Sequence, residues 1–239
     1  MPAVPGRRES GGRYGLLLLV LIGTYLFSAF SGAHLTTEIQ IGLFALVLLL
    51  AMRSSPLPGR WPLVIIALTV TGSAAALAAA LTGTPAGEGA AELWKALILL
   101  MTTVVVVRRV LAKPTVTIQS IYGALSAYLI IGLMFAACYA AIQRLDTQDF
   151  FASNEPANTQ TLQYFSFTTL TTLGYGDFTA AGSDGRSIAV LEAMTGQVFL
   201  ATLVARLVSA YRTPSRPVPS GRDGLPEDVD GPGDDEDRD

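Results

Sequence analysis

One cysteine, Cys138, and one histidine, His34, are all the thiol and imidazole chemistry that this chain of 239 residues offers. A lone cysteine closes no disulfide within the chain and builds no cysteine-based metal site. Cys138 lies in an apolar run and reads as a small core residue. His34 reads as a solvated loop residue, with sensing of external pH as the other use of an isolated imidazole. Charge is scarce as well. Only 15% of the residues are Asp, Glu, Lys or Arg, and their formal sum of −3 points to no particular partner. No nucleotide-binding loop, metal cluster or nucleophile–base constellation stands out. Neither an enzyme nor a nucleic-acid binder is therefore expected, and no cofactor.

What the chain has in excess is apolar surface. Hydrophobic residues make up 51% of it and come in blocks. A helical membrane span needs about 20 predominantly apolar residues. Residues 14–30, 38–52, 62–82, 93–111, 116–142 and 188–211 read as six spans, the second borrowing residues 35–37. A seventh segment, 159–170, has helix length but is too short to cross. It is expected to be re-entrant, and a non-helical continuation at membrane depth is tolerated only where it lines water or protein.

The basic residues give an independent reading of topology. Six spans plus a re-entrant loop put both termini on one side. Arg7, Arg8, Arg13, Arg53, Arg60, Arg108, Arg109, Lys113, Arg206, Arg212, Arg216, Arg222 and Arg238 gather there, against Arg144 and Arg186 opposite. The positive-inside rule makes that shared side the cytoplasm of a multi-pass protein of the cell membrane. Trp61 and Trp94 fall near opposite interfaces. The first span is read as a retained helix, with a cleavable signal peptide ending around residues 28–33 as the alternative.

The most specific string is Thr171-Thr172-Leu173-Gly174-Tyr175-Gly176-Asp177. It resembles the selectivity-filter signature of potassium channels, and its surroundings resemble the pore module of that family: helix, short re-entrant helix, filter, helix. The likeness covers about residues 116–211. It implies a prokaryotic-type channel with six transmembrane helices and one pore segment per chain, but without a charged voltage-sensor helix. The implied fold is an all-α integral membrane protein assembled as a homotetramer in the lipid bilayer.

Its implied activity is passive, selective conduction of potassium ions. These would be coordinated by backbone carbonyls of Thr172, Leu173, Gly174 and Tyr175 and by the Thr172 hydroxyl, with Gly176 completing the filter. For one strand to point successive carbonyls inward, its dihedrals must alternate through regions costly for a residue with a Cβ, which Gly174 and Gly176 relieve. Leu173 and Tyr175 should point outward against surrounding helices. Thr171, Asp177 and Glu192 are the expected supports, Glu192 by accepting hydrogen bonds from hydroxyls of the re-entrant helix or, alternatively, by facing water. Where many family members carry a tryptophan pair, this chain has Tyr164-Phe165. A weakly selective cation channel and a potassium-transporter subunit are the alternative functions.

The implied division is 1–13 cytoplasmic, 14–113 a four-helix membrane domain like a degenerate voltage sensor, 114–212 the pore domain, and 213–239 a disordered acidic cytoplasmic tail. Asn158 or Thr159 should cap the re-entrant helix, whose negative dipole end would favour a cation. Gly123, Ala127, Gly132, Ala136 and Ala137 offer small faces for close helix contact, as do Gly72, Ala76 and Ala80. Gly196 reads as a gating hinge, with close packing as the other reason for a mid-helix glycine. Leu200, Val204 and Val208 form a stripe suited to a hydrophobic gate or a helix contact. The acids Asp146, Asp149 and Glu155 mark an outer loop. The fourth span has no arginine at every third position. Lys95 is explained by a local pair with Glu92 or by snorkelling, and the adjacent Arg108 and Arg109 by anchoring.

Overall fold

The computed structural model describes residues 13–30, 37–53, 61–112 and 117–211. Arg7, Arg8, His34, Arg60, Lys113 and the acidic tail from 213 lie outside the described residues, as do the side chains of Arg13, Arg53 and Trp61. Seven helices follow one another: α1 (Arg13–Phe30), α2 (Thr37–Arg53), α3 (Trp61–Leu81), α4 (Pro85–Ala112), α5 (Ile118–Leu145), α6 (Thr159–Leu170) and α7 (Ser183–Tyr211). Extended pairing among the described residues is confined to one antiparallel bridge, Phe151 with Ala180.

Helix starts follow local chemistry. Thr117 and Ser120 form a reciprocal capping box ahead of α5. At α4 the Thr84 hydroxyl accepts from Gly87 N at 3.1 Å, and Pro85 at the first helical position lacks only an N–H that would be unpaired anyway. The helix therefore begins two turns before the apolar run at 93. Thr82 and Gly83, the latter at φ +65°, make the tight return from α3.

Helix α5 is the spine. One of its faces joins Leu17 and Leu21 of α1, Phe44 and Leu48 of α2, and Leu99 and Val106 of α4 in one core. The opposite face, through Ile131, Phe135 and Tyr139, packs on Phe150, Phe151 and on Leu162, Phe165 and Leu170 of α6. Small residues permit this double contact. A Cβ on Gly123 would meet Val110 at 2.7 Å, and one on Gly132 would overlap the ring of Phe167. Gly72 does the same for α3, lying under the indole of Trp94, whose N–H donates to Ser73 Oγ at 3.3 Å. Trp94 is thus a packing residue between α3 and α4.

Helices α4 and α5, and α7 over Ser183–Ser209, are long and apolar enough to cross a membrane. Helices α1, α2 and α3 form where the sequence reads spans. Their apolar stretches among the described residues are shorter, Tyr14–Leu26, Gln40–Leu49 and Ile65–Leu81. Lys95 does not snorkel: it is buried, and its Nζ is 2.6 Å from Glu92, three residues earlier. Arg109 stacks 5.5 Å from the centre of the Tyr14 ring, while Arg108 is exposed.

Candidate functional site

The string 171–177 doubles back along α6. Asn158 caps the start of that helix, its Oδ1 accepting from Gln160 N at 2.9 Å and Thr161 N at 3.0 Å. At the other end the Thr168 carbonyl accepts from Leu173 N at 2.8 Å, and the Thr169 carbonyl from Thr172 N at 2.9 Å. This is the pairing of a Schellman motif, with Thr172 at the left-handed position where glycine is usual. A β-branched residue at φ +56° is a true outlier, and such strain concentrates at functional sites. Two contacts involve its hydroxyl, which donates to the Thr171 carbonyl at 2.7 Å and accepts from Gln197 Nε2 of α7 at 3.1 Å.

Beyond Thr172 the left-handed region recurs at every second residue, at φ +49° in Gly174 and +80° in Gly176. In an ordinary strand successive carbonyls point to opposite sides. Turning alternate residues to positive φ brings consecutive carbonyls toward the same side. A Cβ at Gly174 or Gly176 would meet nothing within 4 Å in its own chain, so dihedral angle alone makes these positions glycine here. Leu173 is 54% and Tyr175 67% exposed, so neither packs closely on the helices of its own chain.

The far end of the string is held at two places. Tyr164 of α6 donates its hydroxyl proton to Asp177 Oδ2 at 2.8 Å. Thr179 and Ala181 bond to Ala152 and Phe150 of the preceding loop, at 2.9 and 2.8 Å. Tyr139, Phe150, Phe151, Phe165, Phe178 and Tyr164 form a continuous chain of ring contacts behind the string. Of the Tyr164-Phe165 pair, Tyr164 thus supplies a polar contact to the string and Phe165 packs in the ring cluster.

Glu192 is fully buried. Its carboxyl accepts from Tyr139 Oη of α5 at 2.6 Å and lies 2.5 Å from Ser166 Oγ of α6. The Ser166 hydroxyl also reaches the Gly132 carbonyl at 2.7 Å. Its single proton serves one acceptor at a time, and the group joins α5, α6 and α7 at one point. Gly196, one turn further along α7, faces the end of α6. A Cβ there would stand 2.2 Å from the Leu170 carbonyl oxygen, which also accepts from Tyr128 Oη at 3.2 Å. Close approach thus accounts for this glycine, and α7 runs unbroken through it. Leu200, Val204 and Val208 are exposed and do not face another helix of the chain. Arg186 donates from Nε to the Ala180 carbonyl at 2.9 Å, not to Glu192.

Tyr139, Tyr128 and Gln197 are the supporting residues that sequence reading missed. Gln197 carried a signal, being polar and adjacent to Gly196 in an apolar helix. The two tyrosines looked like ordinary helix residues until their distant partners were brought to them. No group of three or more His, Cys, Asp or Glu side chains suited to a metal ion occurs among the described residues.

No curated protein matches the sequence. Residues 123–213, which run from the second turn of α5 through α6 and the string to just past α7 and make up less than half of the chain, match the family model described as ion channel.

Proposed function

We propose that this chain is one subunit of a potassium-selective channel in which residues 172–176 of four copies surround a single axial path. One observation carries the reading: left-handed dihedrals at Thr172, Gly174 and Gly176 on a segment that doubles back along a helix too short to span. A potassium ion leaves water only where oxygens at similar distance replace its hydration shell. Rings of aligned carbonyls do this, and one chain supplies one side of each ring. The exposure of Leu173 and Tyr175 fits this reading, since a neighbouring copy would cover them. So does α7, whose apolar side chains Val190, Leu191, Met194 and Val198 are exposed in the single chain.

Support for the segment comes from behind. Asp177 is tied to Tyr164, Thr172 to Gln197, and Glu192 to both α5 and α6. The chain would sit in the cell membrane through six spans with both termini cytoplasmic, as the distribution of basic residues supports. The residues of the string, helped by Thr171, Asp177 and Glu192, would hold potassium with no other cofactor. Gly196 would act as a close-contact point between α7 and the end of α6, about which the inner half of α7 moves.

The test is ion flux into liposomes containing the purified protein. Potassium should move down its gradient without an energy source, and the reversal potential should follow potassium when sodium replaces it on one side. A reversal potential near zero under those conditions would make it a weakly selective cation channel. Flux that requires a coupled ion would make it a transporter subunit.

A further inference from the structure

Where α2 and α4 meet α5 and α6, a polar junction sits among apolar contacts. Lys95 Nζ donates to Gln40 Oε1 at 2.9 Å and to Glu92 Oε1 at 2.6 Å. These three side chains, together with Thr159 and Gln163 of α6, line a cavity of about 30 Å³. Gln163 is only 7% exposed, and its Oε1 has no hydrogen-bond partner in the protein. A buried acceptor at membrane depth has no bulk solvent to satisfy it. A bound water needs roughly 10–15 Å³ and two to four polar partners. The cavity meets both conditions. It is too small for a larger ligand, and the Lys95 ammonium disfavours a cation.

We infer that this junction binds a buried water molecule that donates to Gln163 Oε1 and is held on its other side by the Gln40–Lys95–Glu92 cluster. The water ties α2 and α4 to the re-entrant helix. The link runs from residues of α2 and α4, which serve no conduction role in the proposed channel, to the helix that carries the 171–177 string.

Two measurements on the full-length assembly in lipid nanodiscs test this. The first is a cryo-electron microscopy map that resolves ordered water. It should show a peak within hydrogen-bond distance of both Gln163 and the cluster. The second is a double-mutant cycle read as thermal melting, with Gln40→Leu, Gln163→Leu and the pair. The two changes should be non-additive, the Gln40→Leu shift falling to less than about half in the Gln163→Leu background. Gln163→Met replaces Gln163→Leu if the branched chain prevents folding. Additive shifts, or a map in which Gln163 contacts the cluster directly with no peak between them, would overturn the inference. Neither measurement requires conduction, so an assembly that passes no ions would overturn the channel reading and leave this one standing.

Discussion

At the scale of single residues, the string 171–177 is governed by dihedral angles. Gly174 lies at φ +49°, where an L-residue costs about 1–2 kcal/mol, and its Cβ position is open. In the proposed ring of four that cost would be incurred at every copy, and the carbonyl direction would be lost if the chain relaxed to negative φ. Gly174→Ala should therefore abolish potassium selectivity or conduction. Gly182→Ala is the control, because its Cβ also meets nothing and its φ is ordinary. Equal flux and selectivity in the two variants would remove residues 172–176 from the ion path. Glu192 sets a second prediction. Its removal orphans Tyr139 Oη and one contact of Ser166, and each buried unsatisfied hydroxyl costs about 1–3 kcal/mol. Glu192→Ala should lower the melting temperature of the assembly, and Glu192→Gln, which keeps a carbonyl acceptor, should recover part of the loss. Identical melting of Glu192→Ala and the parent would show that the buried contacts carry no stability. The glycines and the acid were visible in sequence because their residue types are conspicuous in apolar surroundings. Their partners were not, since Tyr139 stands 53 residues from Glu192 in the chain.

At the scale of elements, the limits of α6 were legible because Asn158 and Thr159 are both good N-cap residues, of which the structure uses Asn158, and because the string ends the helix. The start of α4 was not, because apolarity marks where a helix crosses lipid and not where it begins. Two predictions belong here. Gly196 presses on the Leu170 carbonyl, so Gly196→Ala forces α7 away from α6, an overpacking cost of about 1–3 kcal/mol. A glycine needed only for bending would behave oppositely, since alanine favours a helix interior by about 1 kcal/mol. Melting of Gly196→Ala should therefore fall, and a rise would favour the hinge. The second concerns α4. Moving one charge through 100 mV supplies about 2.3 kcal/mol, and voltage sensors use roughly 3–4 charges per subunit. In α4 the buried Lys95 is paired with Glu92, and Arg109 is stacked on Tyr14. Neither belongs to an arginine ladder. Open probability in symmetric potassium, with divalent ions removed, should vary only shallowly with voltage. A steep curve would reveal mobile charge elsewhere.

The whole molecule is where sequence reading stops soonest, because one chain carries no direct record of its copies. Two features of the fold are ones that the proposed ring of copies would explain. The string exposes polar backbone that the hydrocarbon of a bilayer cannot satisfy, so it must face protein or water. The exposed apolar side of α7 carries Leu191, Met194, Val198 and Val204. A head-to-tail contact closes into a ring where its rotation closes, and the proposed ring of four would give a path narrow enough for carbonyls to replace water around potassium. Mixing experiments distinguish ring sizes. Gly174→Ala chains co-expressed with parent chains in equal amounts should assemble at random, and one altered copy should suffice to spoil the rings of carbonyls. A tetramer then retains about one-sixteenth of the parental selective flux, a dimer about one-quarter, and a chain that conducts alone about one-half. Native mass measurement of the same preparations gives the copy number independently. A residual flux near one-half, with a monomer as the conducting species, would overturn both the ring and the assignment of Leu173 and Tyr175 to a contact between copies.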